Sequence, residues 1–128
     1  MRVLVVDDSQ VIRTIIIKEL QEIGIIDIEQ AGEGLTAMRK ISSKFFELIT
    51  LDITMPEADG ITVLNHIKVV SPASRVVICS AHNHKDVVIE AIKIGIDDYV
   101  IKPFAVERLN EILRRQIELG ANGSMAKK

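Results

Sequence analysis

Four apolar runs in this chain of 128 residues each end on side chains that can do chemistry. Val3-Leu4-Val5-Val6 stops at Asp7-Asp8-Ser9, and Leu48-Ile49-Thr50-Leu51 stops at Asp52. Val76-Val77-Ile78-Cys79 stops at Ser80, and Tyr99-Val100-Ile101 stops at Lys102-Pro103. Three carboxylates gathered in one low-dielectric cleft would repel one another. A hard divalent cation such as Mg2+ resolves that conflict. It takes oxygen ligands and keeps several waters, so two carboxylates and a carbonyl leave room for a phosphate oxygen. Lys102 adds a point charge able to pair with Asp52 at rest and with a phosphoryl group later. Ser80 offers a hydroxyl. This inventory suits phosphoryl transfer onto an aspartate, a reaction that needs positioning and charge neutralisation more than covalent help.

Each group alone has a plainer reading. Asp8 or Ser9 caps a helix as readily as it binds an ion. Asp52 is a natural start for a turn, and Met55-Pro56 and Asp59-Gly60 read as punctuation that leads the chain away from it. A single serine or lysine says little. The weight lies in their joint arrival at one edge of one fold.

The elements that must deliver them alternate strictly. Val3–Val6 is a strand, followed by Val11, Ile12, Ile15, Ile16, Leu20 and Ile23 on one helix face, with Gly24 as its stop. Residues 26–31 form a second, more polar strand, and Leu35, Met38 and Ile41 mark a second helix. The third unit is the strand 48–51 with a helix over 61–70, closed by Ser71-Pro72. The fourth is the strand 76–79 with a helix over 87–94 ending at Gly95. The fifth is the strand 99–101 with a helix whose stripe is Val106, Leu109, Ile112, Leu113 and Ile117. Five strand–helix units of this kind predict a doubly wound α/β fold: a five-stranded parallel sheet with helices on both faces. The known order 2-1-3-4-5 fits, because the polar second strand belongs at an edge, and ligands then sit beyond the carboxyl ends of the strands.

Composition limits the classes of partner. The net charge of −2 gives no general attraction to nucleic acid or to an anionic membrane. Cys79 is the only cysteine, so an internal disulfide and a multi-cysteine zinc site are excluded, and inside its apolar run it reads as a buried, inert thiol. His82 and His84 lack a third ligand and read as solvent-facing. No apolar run approaches a membrane span, and a cytoplasmic, reducing setting is expected. We expect one domain over residues 1–119 and a flexible tail over 120–128, rich in Gly, Asn, Ser and Lys.

The stretches "VLVVDDS", "LDITMPEADG", "VVICSA" and "YVIKPF", with their spacing, resemble the receiver domain of two-component response regulators, above all stand-alone CheY-like proteins. The resemblance runs from Arg2 to Leu119. It implies that Asp52 accepts a phosphoryl group from the phosphohistidine of a kinase. Asp8 and Asp52 would ligate Mg2+, with Asp7 helping through water and the Thr54 carbonyl completing the protein ligands. Ser80 and Tyr99 would form a switch that remodels the surface of the fourth helix, fifth strand and fifth helix. Lys102 would be the family's lysine, with a cis bond to Pro103, and Thr54 and His82 would tune phosphoryl lifetime. The implied partners are a CheA-type histidine kinase and a flagellar motor switch protein or other output protein, with room for a phosphatase. The chain is then a monomer that phosphorylates and dephosphorylates itself, not an enzyme with an external product.

Other readings stay open beside this one. The chain could pass its phosphoryl group to a histidine phosphotransfer domain, or be the receiver of a longer regulator. A flavodoxin-like cofactor protein would need a phosphate-binding loop after the first strand, where Asp7-Asp8 repels an anion. No G-x-x-x-x-G-K-[ST] nucleotide loop occurs.

Overall fold

The first strand is apolar at every inner position because both of its faces are covered. In a computed structural model of the chain, which describes residues 1–55, 60–81 and 84–126, β1 (Arg2–Val6), β2 (Asp27–Ala31), β3 (Leu48–Asp52), β4 (Arg75–Ala81) and β5 (Asp98–Lys102) form one parallel sheet. Their order is β2-β1-β3-β4-β5. Between them run α1 (Gln10–Ile23), α2 (Gly34–Ser43), α3 (Gly60–Val70) and α4 (Lys85–Ile94), and α5 (Val106–Ala126) follows β5. The expected fold class and strand order are those observed.

Alternation along each strand sends its side chains into two cores. Leu4, Val6, Ile49, Leu51, Val76 and Ile78 pack with Ala37 and Ile41 of α2, Val63, Leu64 and Ile67 of α3, and Ala91 of α4. Val3, Val5, Leu48, Val77, Cys79 and Val100 pack on the opposite face with Ile16 and Leu20 of α1 and with Leu109, Ile112 and Leu113 of α5. Only β2 and β5 lie at edges. As its polarity required, β2 is one of them, and its Glu29 is held by Lys40 at 3.0 Å and Lys44 at 2.8 Å.

Several local expectations change. Val11 is 70% exposed and Leu35 59% exposed, although their spacing predicts inner helix faces for both. Each sits in the first turn of its helix, just off the buried stripe, and in α2 the small Ala37 fills the core instead. Helical backbone continues through Ala126, past the boundary drawn at Leu119. Extending a helix that is already anchored adds one bond per residue, so weak helix formers can follow it. Gly24 ends α1 as expected, with φ at 109° and its N–H donating to the Gln21 carbonyl at 3.0 Å.

Gly60 departs most usefully from its sequence reading. It is the first residue of α3 and makes a close approach that no side chain permits. A Cβ on it would stand 2.2 Å from Ile53 Cα and 2.6 Å from the Asp52 carbonyl oxygen. Pro56 and Asp59, the other punctuation, lie outside the described residues. Gly60→Ala is therefore expected to push α3 off the end of β3 and lower unfolding free energy by about 1–3 kcal/mol. Leu35→Ala should change it by no more than ~0.5 kcal/mol. Urea midpoints of the two variants check both, and equal midpoints would show that the contact does not matter.

Candidate functional site

Strand order brings the acids together. Val6 of β1 is in register with Leu51 of β3, so the next residues, Asp7 and Asp52, leave the sheet side by side. Asp7 is fully buried and Asp52 is 3% exposed, whereas Asp8 is exposed. Oxygens of the three carboxylates all lie within 4.8 Å of one another. Lys102 stands two strands from β3, in register with Ala81 of β4. Its long stem reaches back across β4, and Nζ lies 2.7 Å from Asp7 Oδ2 and 3.4 Å from Asp52 Oδ2. The resting partner is thus Asp7 first and Asp52 second, the reverse of the emphasis the sequence suggested. The fully buried carboxylate loses most by desolvation and gains most from a cation.

Both buried acids are held in the same way. Asp7 Oδ1 accepts the Ser9 N–H at 2.9 Å, and Asp52 Oδ1 accepts the Thr54 N–H at 2.9 Å. The Thr54 hydroxyl donates to that same Asp52 oxygen, also at 2.9 Å. These are side chains bonded to backbone two residues on, the turn-forming habit of aspartate. The Thr54 hydroxyl contact was not anticipated; the repeated D-x-[ST] pattern was its signal. The capping role falls to Ser9, whose Oγ accepts the Ile12 N–H, which leaves Asp8 outside the capping bond.

Charge in the pocket is unevenly compensated. Burial pushes the Asp7 carboxyl above its ordinary value, helped by the neighbouring Asp52, while Lys102 and the Ser9 N–H act against the rise. Burial works against a charged Lys102, but its hydrogen bond to Asp7 and the fields of Asp52 and Asp7 win, so its pKa is raised. Cys79 pairs in register with Asp52, is buried, and is pushed up to about 12 mainly by desolvation. That thiol is inert, as its apolar setting implied.

The donor set fits a hard cation. Among the described residues it offers carboxylate oxygens converging from two adjacent strand ends, with more negative charge than Lys102 balances.

Ser80 and Tyr99 also fall into relation. Ser80 pairs with Ile101 and Ile78 with Tyr99, so by alternation the two side chains lie on the same face of the sheet, the one covered by α3 and α4. Ser80 is fully buried and its hydroxyl donates to the Ala81 carbonyl at 3.3 Å. Tyr99 is 42% exposed and borders a shallow apolar groove with Val88, Ile89 and Ile92 of α4. The Lys102–Pro103 peptide bond is cis. His84 precedes α4 and is partly exposed; His82 lies outside the described residues.

Comparison with known proteins agrees with this geometry. Residues 3–114 match the response regulator receiver domain. The chain is 37% identical to the chemotaxis protein CheY of Bacillus subtilis over 116 residues, covering 91% of this chain and 97% of that protein. It is 36% identical over 115 residues to the transcriptional regulatory protein ZraR of Salmonella typhimurium, covering 90% of this chain but 26% of that one. The crystal structure of the receiver domain of NtrX from Brucella abortus superposes with a TM-score of 0.82 at 31% identity, over 91% of this chain and 98% of that one. The acidic pocket at the carboxyl end of this sheet is therefore that of a response regulator receiver domain, and the chain belongs to that family.

Proposed function

We propose that this chain is a phosphorylation-controlled receiver of chemotaxis type, acting in the cytoplasm, with Asp52 as its phosphoacceptor. The observation that carries the reading is the convergence of Asp7, Asp8 and Asp52 within 4.8 Å, with Lys102 bridging Asp7 and Asp52. A carboxylate oxygen of Asp52 attacks the phosphorus of a phosphohistidine on a CheA-type kinase. The P–N bond breaks and its electron pair leaves with the imidazole.

Each residue has a part in that step. The Thr54 amide and hydroxyl fix the Asp52 carboxylate so that it meets phosphorus in one orientation. Lys102 turns part of its charge from Asp7 toward the new phosphoryl oxygens. Asp7, Asp8, Asp52 and the Thr54 carbonyl would hold Mg2+, which when bound neutralises charge on the transferring group. Ser80 then moves toward the phosphoryl group, and Tyr99 turns inward along the shared face. That rearrangement changes the surface of α4, β5 and α5, where an output protein such as a flagellar motor switch protein docks. Slow hydrolysis of the aspartyl phosphate, with or without a phosphatase, ends the signal.

The similarity to ZraR, of which the chain spans about a quarter, supports a second reading as the receiver part of a longer regulator. Transfer of the phosphoryl group to a histidine phosphotransfer domain, rather than phosphorylation-dependent binding to a motor-switch segment, would favour a relay role instead.

Incubation with a small phosphodonor and Mg2+ should add one phosphoryl group by intact mass, and none with a chelator or in Asp52→Asn. Addition to Asp52→Asn would place the chemistry elsewhere. Tyr99 is the only tyrosine and the chain has no tryptophan, so intrinsic fluorescence reports on it alone. The signal should change on phosphorylation in the parent and not in Ser80→Ala. Stability should also follow Asp7. The folded protein holds the Asp7 proton more tightly than the unfolded chain, so Asp7 costs stability above its raised pKa, and the cost fades as pH falls through that pKa toward 3.8. Metal-free Asp7→Asn should thus be more stable than the parent at neutral pH, with the difference closing on acidification in urea titrations.

A further inference from the structure

Of the three pocket acids, Asp8 is the one whose carboxylate has no hydrogen-bond or ion-pair partner among the described residues. Its place in the pocket therefore follows from its backbone. Three contacts hold that backbone. The Asp7 N–H donates to the Ala31 carbonyl at 3.1 Å, and the Ser9 N–H donates to Asp7 Oδ1 at 2.9 Å. The third is a hydrogen bond from Arg13 Nη1 to the Asp7 carbonyl oxygen. That oxygen belongs to the planar peptide unit joining Asp7 to Asp8, so fixing it fixes the direction in which the chain enters Asp8.

Arg13 is itself anchored at its other end. Its Nε donates to Gln30 Oε1 at 2.8 Å, so one rigid guanidinium spans from β2 to the pocket loop. Gly32 leaves it space: a Cβ there would stand 3.1 Å from Nη1. Charge alone disfavours this arrangement. Arg13 lies at the start of α1, where the helix dipole favours anions, and it puts a positive charge beside a pocket fitted for a cation.

We infer that Arg13 is a positioning residue of the acidic pocket: by gripping the Asp7–Asp8 peptide it sets where the Asp8 carboxylate stands, and so sets the affinity for a divalent cation. The inference rests on the reading of this pocket as a Mg2+ site. Geometry and charge make opposite forecasts for its removal. Loss of a like charge should tighten Mg2+ binding, and loss of a positioning contact should weaken it.

Calorimetric titration of the full chain with MgCl2 separates the two. Arg13→Ala, confirmed as folded by circular dichroism, is expected to bind Mg2+ roughly tenfold more weakly, the usual scale for a lost contact behind a metal ligand. Gln30→Ala removes the other anchor from an exposed edge strand and should weaken binding in the same direction by less. It also decides the matter should Arg13→Ala not fold. Unchanged or tighter binding in the folded variants, with the parent binding normally, would overturn the role of Arg13 and leave the phosphoacceptor reading intact. A parent that does not bind Mg2+ would remove both.

Discussion

A carboxylate with no solvent access has to find a cation, and in this protein Asp7 finds Lys102 at 2.7 Å. The pairing spans the sheet. It requires β1 and β3 to be neighbours, so that Asp7 and Asp52 emerge together, and it requires β5 to lie two strands from β3, within reach of a lysine stem. A strand order that parted β1 from β3, or put β5 out of reach, would leave the buried Asp7 carboxylate without its cation. Topology and electrostatics are thus one constraint here. The sheet balances one of its negative charges internally and leaves the others to be met from outside.

The two-sided core supplies the rigidity this arrangement needs. All five residues of β3 are buried, and the strand is in register with neighbours on both sides, so Asp52 is mounted on a strand enclosed along its whole length. Gly60 extends the same logic to the helix that follows, since its bare backbone lets α3 rest against Ile53 and the Asp52 carbonyl. The far end is tied as well: Arg75 at the start of β4 bonds Gln116 of α5 at 2.7 Å and lies 3.3 Å from Asp97, just before β5. At the periphery, Tyr99 and the apolar side chains Ile89 and Ile92 of α4 meet solvent.

Much of this was legible in the residues themselves. Strands buried on both faces read as unbroken apolar runs, and the polarity of residues 27–30 placed β2 at an edge. The site was legible because its members end strands, and alternating connectivity puts strand ends together. What escaped were matters of direction. Val11 and Leu35 are apolar and correctly spaced, yet a small rotation at the first turn of a helix turns them outward. Gly60 reads as a turn residue because close approach of two backbones leaves no mark in local sequence. The preference of Lys102 for Asp7 over Asp52, the second donor from Thr54 and the reach of Arg13 depend on strand register and side-chain length together.

Cys79 sits across the ladder from Asp52, sealed between strands, with its proton held far too tightly for thiolate chemistry at neutral pH. Reagents that alkylate or oxidise sulfur can meet it only when the sheet parts. The molecule thereby carries its own timer for opening: the rate at which this one sulfur is modified counts how often the sheet around it comes undone.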